Sequence, residues 1–287
     1  MGDRTGPAPG GRPRESGIAL VRRPGPRLAD GIVTHVERRP VDVALARRQH
    51  AAYVDAVRDA GWSIHEVEPA DDCPDAVFVE DTLVVAGDVA VLGRSGAPRR
   101  RAELPGAERA ARDLGLRVHR IKEPGTLDGG DVLQVGDTVY VGRGLRTNEE
   151  GVCRLAHLLG GRRVVPVALD GVLHLKSAMS ALPDGSLIGL PDHVDTSVVP
   201  YLRVVPEPTG VHMVILGPEH VLMAASAPRT AELLRADGWR VTTVDIGEFE
   251  ALEGCVTCLS VLVPGGRPDG AAGSAMASRR LCDGCVT

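Results

Sequence analysis

The sequence predicts an α/β fold in which five similar modules close into a propeller-like ring. Two observations carry this prediction. A pair of short apolar strands joined by a Gly-Asp turn occurs twice, over Asp81–Arg94 and over Asp131–Arg143. Each pair is followed by a helical stretch, an ending glycine and a further β-rich run, so that a unit recurs about every 40–50 residues, as in repeat architectures. The expected module is therefore strand, turn, strand, helix, strand, with pseudo-five-fold symmetry.

The modules can be followed along the chain. The N-terminal strand Ile18–Val21 and the last strand Val256–Val263 are expected to form one split unit that closes the ring. Weaker strand pairs lie around Asp184 and Pro218, and Thr147–Glu150 has the pattern of a capping box at the start of a helix. Strands that follow the helix-ending glycines are expected at Ser63–Val67, Arg117–Ile121, Arg163–Val167 and Arg240–Asp245.

Composition bounds the domain. The chain has 287 residues, 43% of them hydrophobic, which is enough for one sizeable core. Residues 1–17 are polar and rich in proline and glycine, and residues 264–287 are loop-like again. We therefore expect a single folded domain at 18–263 between two flexible tails. A doubly wound sheet is the alternative fold, but it would need long apolar parallel strands and a glycine-rich phosphate loop, and neither is evident.

Charge and composition also exclude several classes of function. A net charge of −5 and only 2% aromatic residues argue against a nucleic-acid partner. No apolar run approaches the roughly 18 residues of a membrane helix, and no segment has the form of a signal peptide. We expect a cytoplasmic protein with no membrane partner, whose six cysteines do not form a disulfide framework.

Four polar residues recur in register after the helix-ending glycines. Asp75 lies 14 residues past Gly61, Asp128 lies 13 past Gly115, His174 lies 13 past Gly161, and Cys258 lies 20 past Gly238. Equivalent positions in modules around one axis face each other. Taken singly, each residue has a simpler explanation: the aspartates as turn formers, the histidine on a strand Val172–Ser177, the cysteine as a small apolar residue. Together they predict two carboxylates, an imidazole and a thiol near the axis.

Further charged residues add to this cluster. Glu80 and Asp81 interrupt the apolar run Ala76–Val79, and buried carboxylates need a cation or hydrogen bonds. Arg100 and Arg146 follow the second strands of two successive modules and could bind a carboxylate, although solvated surface arginines explain them as well. An acidic centre with a basic rim suits a zwitterion with a cationic far end.

The motifs that carry these residues resemble one enzyme family. They are Cys73–Asp81, Gly125–Asp131, Arg146–Asn148, Leu173–Ser177 and Val256–Val261. In this order and over about Ile18 to Val263, they look like dimethylarginine dimethylaminohydrolase of the guanidino-group-modifying superfamily. The resemblance implies an α/β propeller of five ββαβ modules. It also implies hydrolysis of Nω-methylated arginines to citrulline and a methylamine through a covalent thiouronium intermediate. No metal or cofactor is required, and a homodimer is kept open.

The resemblance assigns roles to residues of this chain. Cys258 would be the nucleophile and His174 the general acid and base, with Asp128 orienting His174. The guanidinium pocket would be formed by Asp75, Glu80 and Asp81. The α-carboxylate of the substrate would be held by Arg100 and Arg146. Val33, in the loop Pro24–Val36, matches a lid position, and Leu252 a wall position. The extension after Val263 departs from the family, whose members usually end soon after that strand, and some relatives carry Glu rather than Asp at position 128.

Three alternatives remain open at this point. Cys255-x-x-Cys258 and Cys282-x-x-Cys285 could form a structural zinc site, although their 23-residue separation is long and the first pair is expected in a strand. An arginine deiminase or amidinotransferase would use the same thiol. A non-catalytic protein that binds guanidino compounds would not need the thiol and the imidazole together.

Overall fold

The computed structural model describes residues 17–265. The predicted tails 1–17 and 264–287 fall almost entirely outside the described residues, as do Cys282 and Cys285. Within residues 17–265, no helix is long and apolar enough to cross a membrane.

Fifteen strands and five α-helices make up the described part of the chain. The strands are β1 Gly17–Val21, β2 Trp62–Glu66, β3 Leu83–Ala86, β4 Val89–Leu92, β5 Arg117–Arg120, β6 Val132–Val135, β7 Thr138–Arg143, β8 Arg163–Ala168, β9 Met179–Ala181, β10 Leu187–Gly189, β11 Arg203–Val204, β12 Met213–Gly217, β13 His220–Ala224, β14 Arg240–Val244 and β15 Ser260–Pro264. The helices are α1 Val43–Asp59, α2 Leu104–Asp113, α3 Glu149–Leu158, α4 Pro228–Ala236 and α5 Gly247–Glu250.

The strands form five three-stranded sheets with one shared topology. The sheet orders are β15-β1-β2, β3-β4-β5, β6-β7-β8, β9-β10-β11 and β12-β13-β14. In each sheet the first pair is antiparallel and the second pair is parallel. A helix connects the parallel strands in four modules, whereas β10 and β11 are connected through a 3-10 turn at Pro191–His193. The predicted five-module ring is confirmed, with the helix of the fourth module missing.

The ring closes through strand pairing and through the core. Strand β15 pairs with β1 from Gly17↔Pro264 to Val21↔Ser260, so the two ends of the domain share one sheet, as predicted. Five buried apolar clusters lie around the ring, each made by two neighbouring modules, including one between the first and the fifth. Apolar burial therefore holds each module to both neighbours.

Most local predictions are confirmed. The Gly-Asp turns connect β3 to β4 and β6 to β7, and the four predicted strands after the helices are present as β2, β5, β8 and β14. The weaker pairs are β9–β10 and β12–β13. The glycines at the helix ends have positive φ, for example 93° at Gly61 and 96° at Gly238, which favours glycine over residues with a Cβ.

Four local predictions were wrong. The apolar run Ala76–Val79 and the segment Val172–Ser177 are turns rather than strands, and the last strand begins at Ser260 because Val256–Leu259 is a turn. In all three segments the predicted site residue (Glu80 or Asp81, His174, Cys258) lies in or beside a 3-10 turn that precedes the strand. The capping box also differs: Asn148 accepts from the Gly151 N–H at 2.9 Å, while the Thr147 hydroxyl contacts Asp131 instead.

Candidate active site

Five 3-10 turns stand at equivalent positions of the ring. They are Val79–Thr82, Gly129–Asp131, Leu175–Ser177, Pro208–Val211 and Thr257–Leu259, and each directly precedes or lies within two residues of the first strand of its module. The turn at Val79–Thr82 packs against those at Gly129–Asp131 and Thr257–Leu259, and Gly129–Asp131 packs against Leu175–Ser177. The fold thus brings the predicted acids, imidazole and thiol from distant parts of the sequence to one end of the modules.

His174 lies in a buried network of carboxylates. Its Nε2 lies 3.2 Å from Asp128 Oδ2 and 3.7 Å from Asp81 Oδ1. Burial disfavours the imidazolium, but Asp81, Asp131 and the hydrogen bond to Asp128 outweigh burial and raise the pKa of His174 to about 9. His174 is therefore a buried cation at neutral pH that can donate a proton, and Asp128 is in position to orient it.

Asp81 and Arg100 form a buried pair beside this imidazole. Burial by itself would raise the pKa of Asp81, but His174 and Arg100 hold it well below its usual range. Arg100 Nη1 donates to Asp81, and its Nε and Nη2 donate to the two carboxylate oxygens of Glu103 at 3.0 and 2.9 Å. Nη2 also contacts the carbonyl oxygens of Asp75 and Phe78. Most donors of Arg100 are thus used within the protein.

Arg146 differs from Arg100 in its free donors. Its Nη1 lies 3.2 Å from Asp128 Oδ2, and this is its one side-chain hydrogen bond within residues 17–265. The side chain is 8% exposed. Nε and Nη2 of Arg146 therefore remain able to bind an anionic group at the edge of the site.

Asp131, Thr147 and Gly130 support the imidazole, and none was predicted as a site residue. Asp131 Oδ1 accepts the Leu175 N–H at 2.9 Å, and its Oδ2 accepts the Thr147 hydroxyl at 2.6 Å. Burial raises the pKa of Asp131 to about 6 against the opposing effects of His174 and Thr147. A Cβ on Gly130 would lie 2.8 Å from His174 Nδ1, so only glycine leaves room for the ring here. The motif Gly125–Asp131 was the available signal for both Gly130 and Asp131.

Glu80 precedes Asp81 in the turn Val79–Thr82 and pairs with a different cation. Its Oε1 accepts from Lys176 Nζ at 2.6 Å, a partner that sequence reasoning did not identify although it lies in the motif Leu173–Ser177. Burial raises the pKa of Glu80 to about 7, despite the nearby Lys176. Near neutral pH this carboxyl group is consequently close to the midpoint of its titration, and a second cation would favour its ionised form.

Three buried carboxylate oxygens have no hydrogen-bond partner in the described part of the chain. They are Asp75 Oδ2, Glu80 Oε2 and Asp128 Oδ1, and all three belong to residues predicted for the site. A buried acceptor without a donor costs about 1–3 kcal/mol, and more when it is charged. A ligand with several N–H donors and a positive charge would satisfy these oxygens.

The predicted nucleophile has an unexpected neighbour. Cys258 Sγ lies 3.2 Å from Cys255 Sγ, and both thiols are free and buried, with 7% and 3% of their residue surface exposed. The hydrogen bond with Cys255, burial and the carboxylates Glu80 and Asp81 raise the pKa of Cys258 well above the usual value. The surroundings of Cys258 therefore disfavour its thiolate, and a nearby positive charge would offset that effect.

The loop between β1 and α1 forms a cover at the side of the nucleophile. Asp75 Oδ1 accepts the Ile32 N–H at 2.8 Å, and Val33 packs against the apolar cluster that contains Leu252 and Cys258. Glu253 accepts the backbone N–H groups of residues 34–36, with distances of 2.8 Å at Thr34 and 2.9 Å at Val36. Among the described residues other than glycine, only Glu253 has a positive φ, 61°, so its backbone adopts a strained conformation that presents the carboxylate to the loop.

Within residues 17–265, one group of side chains has the geometry to hold a metal ion. The ligand atoms of Asp81, Asp128 and His174 lie within 4.8 Å of one another. Arg100 and Arg146 already place positive charge beside these two carboxylates, and His174 adds its own. We therefore interpret the three residues as ion-pair partners of one another and not as ligands of a metal ion.

Comparison with known proteins gives a consistent picture. No protein-family model matches the chain. The chain is 58% identical over 246 residues to N(G),N(G)-dimethylarginine dimethylaminohydrolase of Streptomyces coelicolor, covering 85% of this chain and 95% of that one. It is similar to a solved histidine-to-glycine variant of dimethylarginine dimethylaminohydrolase in an adduct with S-methyl-L-thiocitrulline, with a TM-score of 0.81 and 31% identity over 86% of this chain and 99% of that one. A cysteine-to-serine variant from Pseudomonas aeruginosa, solved with citrulline, has a TM-score of 0.78 at the same identity and coverage.

Proposed function

The chain belongs to the dimethylarginine dimethylaminohydrolase family, and from this membership we propose that it hydrolyses Nω-methylated arginines to citrulline and a methylamine. The observation that carries the proposal is the set of three buried carboxylate oxygens without donors, next to a thiol and a charged imidazole. The guanidinium of arginine has five N–H donors, of which monomethylarginine keeps four and asymmetric dimethylarginine three. Either substrate thus has at least one donor for each of the three oxygens.

The pocket is proposed to hold the guanidinium between carboxylates from different modules. Glu80 and Asp128 offer their unpartnered oxygens from two packed turns, and Asp75 offers one from beneath the covering loop. Asp81 contributes charge to the pocket and anchors the turn, since Gly130 N–H donates to its Oδ1 at 3.1 Å and Arg100 holds its Oδ2. The positive charge of the bound substrate would favour the ionised form of Glu80.

The substrate itself would activate the nucleophile. In the resting protein the pKa of the Cys258 thiol is raised. A guanidinium carbon placed beside the sulfur favours the thiolate by about 4 kcal/mol, given a separation of ~4 Å and an effective dielectric constant of ~20. That free energy corresponds to roughly three pKa units. Cys258 is thus expected to ionise when a cationic substrate is bound, and attack follows.

His174 would then act first as an acid and later as a base. Attack of Cys258 on the guanidinium carbon gives a tetrahedral adduct. The imidazolium of His174 protonates the departing methylamine, which leaves a thiouronium group on the sulfur. The neutral imidazole, oriented by Asp128, next removes a proton from water, and hydrolysis releases citrulline and the thiol.

The amino-acid end of the substrate would lie toward Arg146. Its Nε and Nη2 are available for a carboxylate, whereas Arg100 keeps one N–H of Nη1 and mainly positions Asp81. Val33 and Leu252 are proposed to enclose the aliphatic stem, since both lie at the covering loop.

Parallel assays test this function against its rivals. Purified protein is incubated separately with arginine, monomethylarginine and asymmetric dimethylarginine, and citrulline and free amines are quantified. We expect citrulline in equal amount to the released methylamine from the methylated substrates, and its loss in Cys258→Ser. Citrulline from arginine alone would identify a deiminase. No citrulline from any of the three would contradict the proposal.

Three further predictions remain to be tested. Light scattering of the purified protein tests the homodimer, and fractionation of the source cells tests the cytoplasmic location. A metal assay tests the zinc site, for which the thiols of Cys255 and Cys258 are adjacent and lie in a turn, so that the expected strand no longer argues against it.

A further inference from the structure

The contact between Cys255 and the nucleophile Cys258 is a feature that the hydrolytic mechanism does not use. One 3-10 turn separates them: the Cys258 N–H donates to the Cys255 carbonyl oxygen at 3.1 Å. This turn places both side chains on one side of the loop, with their sulfur atoms 3.2 Å apart. Cys255 Sγ also lies 3.1 Å from Thr257 Oγ1, so its orientation toward Cys258 is fixed by a second contact.

We propose that Cys255 and Cys258 are a peroxide-sensitive pair that closes into a disulfide, so that oxidation switches the enzyme off reversibly. A disulfide bond is about 2.05 Å long, so each sulfur must move by roughly 0.6 Å from its present position. Rotation about side-chain bonds supplies a movement of this size. Cys-x-x-Cys disulfides close within a turn in thiol oxidoreductases. The consequence for activity, though not the disulfide itself, rests on the proposed role of Cys258.

The oxidation balances with one molecule of a peroxide. The thiolate of one cysteine attacks a peroxide oxygen, the O–O bond breaks, a sulfenic acid forms and hydroxide leaves. The second sulfur loses its proton to that hydroxide, which gives the first water, and attacks the sulfenic sulfur. The S–S bond forms as the S–O bond breaks, and the departing hydroxide becomes the second water by taking up the proton that the first thiol lost when it ionised. The two thiols together lose two electrons, and hydrogen peroxide is reduced to two molecules of water.

Cys255 gives the site a protection that a single thiol would not have. A sulfenic acid without a nearby thiol proceeds to sulfinic acid, which thiol reductants do not reverse. With Cys255 in contact, the sulfenic acid is consumed at once inside the protein. Cys73, the remaining free cysteine within the described range, is also buried and serves as the matched control.

The test treats three proteins with hydrogen peroxide: the full chain, Cys255→Ser and Cys73→Ser. Each is first reduced and freed of reductant. Residues 256 and 257 contain no trypsin site, so one peptide carries both cysteines and its mass under non-reducing conditions reports their state. Citrulline release is measured before peroxide, after peroxide and after dithiothreitol.

We expect the wild-type peptide to lose two hydrogens, and activity to fall and then return with dithiothreitol. Cys73→Ser should behave identically. In Cys255→Ser the peptide should gain two oxygens. Dithiothreitol should restore at most about one tenth of the activity that it restores in the wild-type protein. An unchanged wild-type peptide, or full recovery in Cys255→Ser, would overturn the proposal. If reduced wild-type protein releases no citrulline, the proposed function fails, yet the peptide mass still decides whether the thiols pair. Should Cys255→Ser melt early, Cys255→Ala replaces it.

Discussion

At the scale of single residues, the protonation state of His174 is the most consequential feature. Its pKa is raised to about 9 by Asp81, Asp131 and Asp128, against an ordinary value of about 6.5. Because the folded pKa is the higher one, His174 contributes stability that is complete below pH 6.5 and lost as the pH rises through 9. From this shift alone the contribution is at most about 3 kcal/mol.

A histidine NMR titration tests this state. Protein labelled with ¹⁵N in its imidazole rings is titrated from pH 5 to 10, and the signal missing from His174→Gln identifies the residue. We expect that signal to change near pH 9. A change near pH 6.5 would show that the carboxylates do not hold the proton.

Gly130 gives a second residue-scale prediction. A Cβ at this position would approach His174 Nδ1 to 2.8 Å and Asp81 Oδ1 to 2.7 Å, so Gly130→Ala must displace the imidazole. Because a displacement near 1 Å in an active site costs on the order of a hundredfold in rate, we expect kcat to fall about that much. Gly217→Ala is the control, since its nearest contact would be an ordinary 3.8 Å. Equal kcat values for both variants would contradict this packing argument.

Several residue roles were beyond prediction from the sequence. Arg100 was predicted to hold a substrate carboxylate because it stands where Arg146 stands in the next module. The sequence does not reveal that Glu103, one turn later, occupies two donors of Arg100. The proximity of Cys255 and Cys258 was considered only for the zinc alternative, and the turn that brings them together was missed because the segment has the β-branched composition of a strand. The contact between Asp128 and His174 did follow from their register in the repeat, whereas Asp81 was added because it interrupts the apolar run Ala76–Val79.

At the scale of elements, residues 34–36 of the loop between β1 and α1 are held by one carboxylate. Glu253 accepts three successive backbone N–H groups of that loop and adopts a positive φ to do so. Glu253→Gln removes the negative charge and one acceptor oxygen. We expect KM to rise about tenfold with a smaller change in kcat, since substrate binding must then order the loop.

Glu250→Gln provides the control for that measurement. Glu250 is likewise half-buried, three residues away, and accepts from the Ser226 hydroxyl rather than from the loop. The KM of Glu250→Gln should stay close to the wild-type value. Hydrogen exchange at residues 34–36 should accelerate in Glu253→Gln and not in Glu250→Gln. Unchanged exchange in both variants would show that Glu253 does not hold the loop.

The elements themselves were largely predictable from turn chemistry. Gly-Asp turns and helix-ending glycines mark backbone conformations that other residues adopt at a cost, so they located the strands and helices on both sides. The wrong assignments share another cause. The run Ala76–Val79 and the segment Val256–Leu259 are apolar because they are buried. A buried turn has the same hydrophobic composition as a buried strand, so the sequence does not distinguish the two.

At the scale of the whole molecule, neighbouring modules are also joined by a buried arginine. Arg22 is fully buried and donates to the carbonyl oxygens of Glu68, Ala76 and Glu103, which connects the first module to the second. Arg22→Met would remove one donor from each of these three carbonyl oxygens. We expect the free energy of unfolding to fall by about 3 kcal/mol or more.

Arg23→Met is the matched control for this prediction. Arg23 is next in sequence, but its side chain is 43% exposed and forms only a surface ion pair with Asp71. Urea unfolding should place this variant within about 0.5 kcal/mol of wild type. Equal losses in both variants would mean that Arg22 does not connect the modules.

The central claim is that the ring brings Cys258, His174 and the acids together for covalent hydrolysis of methylated arginine, and trapping the intermediate tests it most directly. Wild-type protein is mixed with monomethylarginine or asymmetric dimethylarginine, quenched in acid within the first turnovers and analysed by peptide mass spectrometry. We predict the same added mass from both substrates, that of arginine less ammonia, located on Cys258 and absent from Cys258→Ser. An adduct on another residue, or a mass that retains the methyl groups of dimethylarginine, would contradict the account.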